Sequence, residues 1–256
     1  MIDEKELEKE DEAKEYQNGF KPREVKLKDN YPFYNHNFFF VLASKIVLIL
    51  TVLVCTFSKY VLWGFKCIDK KKIKGIKGAV TISNHCLIQD AFINVPTIFP
   101  KKTYVTTLES NMGFGLASRY LRFCGAVPIP KEPKMMMRFL KDTKKELSKN
   151  QFVHVYPEGH LIPYSDHIRK FMPGAFHIAY IGKVPIIPIC ITFHKPKGIY
   201  FWKKKPMIHQ TFLDPYYPDY TLPKKDCIDK MCEDLQKIMT DYFNKHSDYT
   251  LEKKSA

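Results

Sequence analysis

Residues 38–57 form a run of twenty in which Lys45 is the only charged side chain. About 20 apolar residues suffice to cross a hydrocarbon core of about 30 Å. A chain with such a run either gives it to a membrane or buries it in a core. Tyr31, Phe33 and Tyr34 precede the run, and Tyr60 and Trp63 follow it. That flanking pattern predicts an interfacial aromatic belt. Lys45 leaves a second geometry open, a helix lying in one leaflet with its ammonium snorkelling to the surface. The run divides the chain into a charged tail over 1–30, a membrane-associated helical segment over 31–65, and a globular domain over 66–256.

Charge follows the same division. The chain carries a formal net charge of +14, yet residues 1–30 hold more acidic than basic side chains. The excess therefore sits on the body, which will seek an anionic lipid face, a phosphorylated substrate or nucleic acid. No recognised nucleic-acid module is present, and such a function would leave the apolar run unexplained. The seven cysteines form no CxxC pair, which argues against a disulfide framework or a zinc site and for a reducing compartment. Residues 1–30 are too polar for a secretory signal.

Beyond residue 66 strand-like and helix-like runs alternate. Strands are predicted over 79–83, 103–107, 126–129, 152–156 and 184–193. Helices are predicted over 90–98, 112–124, 133–148, 171–181 and 226–243, with Pro133 opening one and Gly182 closing another. The alternation predicts an α/β fold, a mixed and largely buried sheet flanked by helices, preceded by the N-terminal membrane-associated helix.

Two constellations follow apolar strands directly. The first is His85 and Asp90, a His-x4-Asp spacing. A histidine at a strand end presents its ring above the sheet. An aspartate in the first turn of the next helix can bind one ring nitrogen, fix the tautomer and support the imidazolium. The other nitrogen is then available to take a proton from a hydroxyl. The spacing alone is weak, because His209 and Asp214 repeat it. His209 lies in a strand-like stretch and Asp214 enters a turn, so that pair reads as structural. The second constellation is Pro157, Glu158 and Gly159, a strand-ending turn that can hold a carboxylate and free amides beside a substrate. Gly125 to Lys131 ends a short strand in a cation, and Val184 to Ile189 is a proline-punctuated apolar strand. His154, His160, His167 and His177 match no standard zinc spacing.

Together these pieces resemble the four ordered motifs of the glycerolipid acyltransferase family, whose best-known members are the 1-acyl-glycerol-3-phosphate (lysophosphatidic acid) acyltransferases. Asn84, His85 and Asp90 match its Asn-His-x4-Asp motif. Gly125, Ile129 and Lys131 match Gly-x-x-Phe-Ile-x-Arg loosely. Pro157, Glu158 and Gly159 match Phe-Pro-Glu-Gly-Thr-Arg, and residues 184–188 match Val-Pro-Ile-x-Pro. Residues 171–176 are similar to the family's Phe-Lys-x-Gly-Ala-Phe stretch. The sequence departs from the pattern at Pro128, Lys131, His160 and Leu161, two of which stand where the family carries arginines associated with the acceptor phosphate.

The resemblance implies a membrane-bound O-acyltransferase of phospholipid biosynthesis. It would move a fatty acyl group from acyl-CoA or acyl-carrier protein to a hydroxyl of a lysophospholipid, 1-acyl-glycerol-3-phosphate first, with no cofactor and no metal. His85 and Asp90 are its expected catalytic pair. Lys131, Pro157, Glu158, Gly159 and Arg169 are its expected acceptor-side residues, with Arg169 folding back to join Lys131 in place of the missing arginine. A non-phosphorylated or glycolipid acceptor, and a catalytically silent membrane-binding homologue, are the alternatives. Membrane lipids and the acyl donor are the expected partners, with no nucleic acid. Six lysines between 66 and 77 against four basic residues between 21 and 28 place the domain at the cell membrane, facing the cytoplasm.

Overall fold

The computed structural model describes residues 25–87 and 89–249. Most of the charged tail expected over 1–30 therefore lies outside the described residues. The apolar run forms helix α1 (Phe38–Leu62). Asn37 caps it, its side-chain oxygen accepting from the amides of Phe39 and Phe40 at 3.0 and 3.3 Å.

The body then runs β1 (Lys66–Ile68), β2 (Ala79–Ser83), α2 (Asp90–Ile98), β3 (Thr103–Leu108), α3 (Leu116–Phe123), β4 (Ala126–Ile129), α4 (Pro133–Ser148), β5 (Phe152–Val155), α5 (Gly174–Gly182), β6 (Ile186–His194), β7 (Met207–Phe212) and α6 (Lys224–His246). The strands form one seven-stranded sheet in the order β1-β7-β6-β2-β5-β3-β4. From β6 to β4 the neighbours pair in parallel. β7 is antiparallel to β6, and β1 is parallel to β7. The mixed α/β architecture expected from the alternation is thus the one observed.

The central strands read as unbroken apolar runs because they are covered on both sides. Every residue of β2 and β5 is buried, and β6 is buried except for the half-buried His194 at its end. Helices α4, α5 and α6 pack on one another, with α5 against β2 and α6 against β6, while α1 packs on α2 and α3. In such sheets ligands lie outside the carboxyl ends of the strands. The register pairs Ile82 with Val155, so the segments that leave β2 and β5 emerge side by side at that edge.

Several expectations shift. Tyr31, Phe33 and Tyr34 form no belt with the helix. Phe33 and Tyr34 are buried, with Phe33 edge-on to Phe139 and Tyr34 bonded to Thr143 at 2.8 Å. Aromatic mass next to an apolar run has been taken into the core of the body. The helix expected over 112–124 is split, since Gly115 sits at φ +59° and α3 starts after it. The helix expected from 171 starts at Gly174, after Pro173. Gly182 is its last residue, and Lys183 takes the left-handed C-cap.

Candidate active site

Asn84 ends the pairing of β2. Its side-chain amide donates to the Ile191 carbonyl at 3.0 Å and its oxygen accepts the Ile191 amide at 2.8 Å. One side chain thereby satisfies both backbone groups of Ile191, which a continued β2 would otherwise have bonded. The backbone is released, and His85 stands out of the strand end.

Asp90 begins α2 and is fully buried. Its Oδ2 is 2.9 Å from His85 Nδ1 and accepts the amides of Cys86 and Leu87 at 2.8 and 2.9 Å. Its Oδ1 has no partner among the described residues. Burial holds this carboxyl above the ordinary carboxylate range, and the His85 contact and the two amides pull against that rise without cancelling it. The arrangement makes Nδ1 the protonated nitrogen and directs the acceptor lone pair to Nε2. No hydrogen bond engages Nε2 among the described residues, and the His85 side chain is 23% exposed. The ring is stacked on Tyr156, with centroids 4.0 Å apart and planes 16° apart.

Glu158 lies at the same edge, as expected from its motif. Its Oε2 accepts the His85 amide at 3.3 Å and pairs with Arg169 Nη2 at 2.6 Å. Arg169 Nη2 also donates to the carbonyls of His85 and His160. Arg169 therefore does fold over the site. It is buried together with Glu158, and its Nε and Nη1 have no partner among the described residues. Burial raises the Glu158 pKa more than Arg169 lowers it. The surrounding loop docks on the same backbone. The Ile162 amide donates to the His85 carbonyl at 3.2 Å and the Tyr164 amide to the Cys86 carbonyl at 2.8 Å. Pro157 accepts the Met172 amide at 2.7 Å. Gly159 turns at φ +81°, where a Cβ would lie 2.8 Å from Met172 Sδ.

Lys131 is exposed just past the end of β4, at the same edge. Its amide donates to Glu109 at 3.1 Å. Because β4 is two strands from β5, it stands roughly 10 Å away from that strand. The expected joining of Arg169 to Lys131 is not what their positions give, since Arg169 is engaged with Glu158 and the His85 carbonyl.

Behind His85 lies a buried polar cluster that sequence reading missed. His154 Nδ1 is 2.8 Å from Thr81 Oγ1, and its Nε2 is 3.2 Å from Ser83 Oγ and 3.1 Å from Asn94 Nδ2. Asn94 also donates to Tyr156 Oη at 3.2 Å and accepts from Gln210. An Asn94 N–H aimed at Nε2 requires an acceptor there, so His154 is neutral with its proton on Nδ1. Burial, with the charge of His85 adding to it, pushes its pKa down to about 3. The signal was faint: alternating polar residues at Thr81, Ser83 and His154 inside two apolar strands. A separate apolar cavity of about 290 Å³ lies between the first half of α1 and the starts of β3 and β4, at the opposite sheet edge from His85.

A strand-end histidine oriented by a buried aspartate, over a turn that grips its backbone, has the geometry a general base needs. A model of the acyltransferase family matches residues 64–192, half of the chain and all of this site. The chain belongs to that family. No curated protein matches it by sequence. Among solved structures it is similar to the crystal structure of the 1-acyl-sn-glycerophosphate (LPA) acyltransferase PlsC from Thermotoga maritima, at 13% identity and a TM-score of 0.49, over 80% of this chain and 95% of that one.

Proposed function

We propose that this acyltransferase moves a fatty acyl group from acyl-CoA or acyl-carrier protein to a hydroxyl of a lysophospholipid. The observation that carries the reading is the 2.9 Å contact between His85 Nδ1 and a fully buried Asp90. Nε2 takes the acceptor's hydroxyl proton, and the oxygen attacks the thioester carbonyl. The tetrahedral intermediate collapses with loss of the thiolate, which receives the proton back from His85. No covalent enzyme intermediate and no cofactor enter this scheme. Glu158 and Arg169 act as positioning residues, because they hold the amide and carbonyl of His85. Lys131 is the exposed cation available to an anionic acceptor.

Helix α1 attaches the enzyme to its lipid substrates. Among the described residues it is the one helix long and apolar enough to cross a membrane. Its inner side touches the body along most of its length: Phe40 stacks on Phe123, Ser44 bonds to the Phe123 carbonyl, Thr51 to Tyr120 and Lys59 to Thr97. A span perpendicular to the bilayer would drag α2 and α3 into hydrocarbon. The geometry therefore favours a helix lying in one leaflet, with Phe39, Leu53, Val54 and Phe57 facing lipid.

The acceptor reading is 1-acyl-glycerol-3-phosphate. One observation favours a second reading, an acceptor without a phosphate monoester: Arg169, the cation nearest His85, is already paired with Glu158. An acyl-transfer assay on the purified protein, with lysophosphatidic acid, an uncharged lyso-lipid and a lyso-glycolipid against both donor types, tests both. Preference for lysophosphatidic acid supports the first reading, preference for the uncharged acceptor the second. No transfer to any of them defeats both.

A further inference from the structure

The connection between β6 and β7 carries five lysines between positions 195 and 205 and no carboxylate. At its tip Ile199, Phe201 and Trp202 are 77%, 80% and 61% exposed. Trp202 Nε1 donates to the Ile199 carbonyl at 2.9 Å, so the tip holds a shape with its apolar groups outward. A soluble face has no use for three large apolar side chains side by side. Apolar and aromatic groups flanked by lysines match the apolar–aqueous boundary of an anionic bilayer.

The loop is also fixed in place. The Tyr200 hydroxyl donates to the Tyr60 carbonyl and Lys203 Nζ to the Leu62 carbonyl, both at the end of α1. There Tyr60, Val61 and Leu62 are themselves exposed, so the tip continues the apolar surface of the helix. On its other side Lys205 Nζ lies 5.7 Å from the centroid of the Tyr164 ring, and the Tyr164 amide is bonded to the Cys86 carbonyl. The loop thus lies between the end of α1 and the rim of the His85 site.

We infer that this loop is a second membrane contact, in which Ile199, Phe201 and Trp202 enter the interface of an anionic bilayer while the lysines meet its headgroups. The inference rests on reading α1 as a membrane helix. Two attachment points hold the molecule against rotation about the helix and keep the His85 rim next to the surface from which a lyso-lipid enters.

The chain has two tryptophans, Trp63 and Trp202, which separates the two questions. The full chain with Trp63→Phe is reconstituted into phosphatidylcholine–phosphatidylglycerol vesicles bearing brominated acyl chains. Trp202 emission is expected to shift to the blue, to be quenched by bromine, and to lose quenching by aqueous iodide. The reciprocal Trp202→Phe chain reports Trp63 at the end of α1. Quenching of Trp63 by bromine with Trp202 still open to iodide overturns the loop contact and spares the helix. Failure of both probes to sense lipid overturns both. A triple serine substitution at Ile199, Phe201 and Trp202 is expected to lower turnover on vesicle-borne acceptor several-fold and to leave turnover in detergent micelles unchanged. Equal rates in vesicles would also overturn the inference.

Discussion

His85 with Asp90 and His209 with Asp214 share a spacing and almost nothing else. In the first pair the chain leaves β2, turns, and starts α2, so that five residues bring the carboxylate back to 2.9 Å from the ring. In the second, His209 sits within β7, paired in register with Thr192 and stacked on His194 at 3.7 Å. A strand advances about 3.3 Å per residue, so Asp214 is carried away rather than back. It is 87% exposed and bonded to Lys72 at 3.0 Å. The pKa of His209 is pushed down to about 4 by burial and by the neighbouring His194 and lysines, which keeps it neutral, whereas the proposed mechanism asks His85 to accept a proton. A spacing acquires chemistry only where the chain reverses between its two ends.

The comparison can be broken experimentally. His85→Ala is expected to lower the transfer rate about 10⁴-fold with the melting temperature little changed, as loss of a general base does. Asp90→Asn is expected to cost about 10³-fold, within the range of general acid–base catalysis, because an amide cannot hold the imidazolium or fix the same tautomer. Single-turnover measurements would check both, and comparable losses from Asp214→Asn would erase the distinction.

A smaller effect probes the grip on His85. Arg169→Ala leaves Glu158 buried without its cation, which is expected to destabilise the fold by about 3 kcal/mol in denaturant titrations. The double variant Arg169→Met, Glu158→Gln should recover most of that stability. If the losses add instead, the two side chains are not a pair.

The pH dependence separates His154 from the carboxylates. The folded pKa of His154 is lowered, so its contribution to stability is complete above about 6.5 and is lost as pH falls from there toward about 3, at about 1.4 kcal/mol per pH unit. Asp90 and Glu158 are raised by burial, so they bind protons more readily folded than unfolded and oppose this loss on acidification. Activity should nonetheless fall as Asp90 protonates. His154→Gln is expected to flatten the acid side of a stability–pH curve, and an unchanged slope would mean another group governs it. The smallest expected effect is His209→Ala, within about twofold of wild-type turnover.

The local parts of the site were legible in sequence. Asn84, His85 and Asp90 lie within seven residues of a strand-to-helix junction, and Pro157 to Gly159 close another strand, so each pattern sits in one short window. The long-range parts were not. Thr81, Asn94, His154 and Gln210 meet from four separate elements, and no period along the chain announces such a meeting. β1 is three residues long, too short to leave an alternation. Phe33 and Tyr34 carry the composition of an interfacial belt, and only the cavity offered by Phe139, Tyr104 and Thr143 decides that they turn inward.

Under the proposed mechanism, the grip of residues 158–169 on His85 also sets when the enzyme becomes active. The histidine and aspartate are brought together by five residues of chain, a fast local event. The carbonyl and amide of His85 are shaped by Glu158, Ile162 and Arg169, which arrive from more than seventy residues away. Closing so long a loop is slow compared with forming a turn. During refolding, catalytic competence should lag the return of helical signal. In synthesis on the ribosome, a chain ending before residue 169 lacks the Arg169 that holds the His85 carbonyl, so catalytic competence is expected only once that residue has emerged.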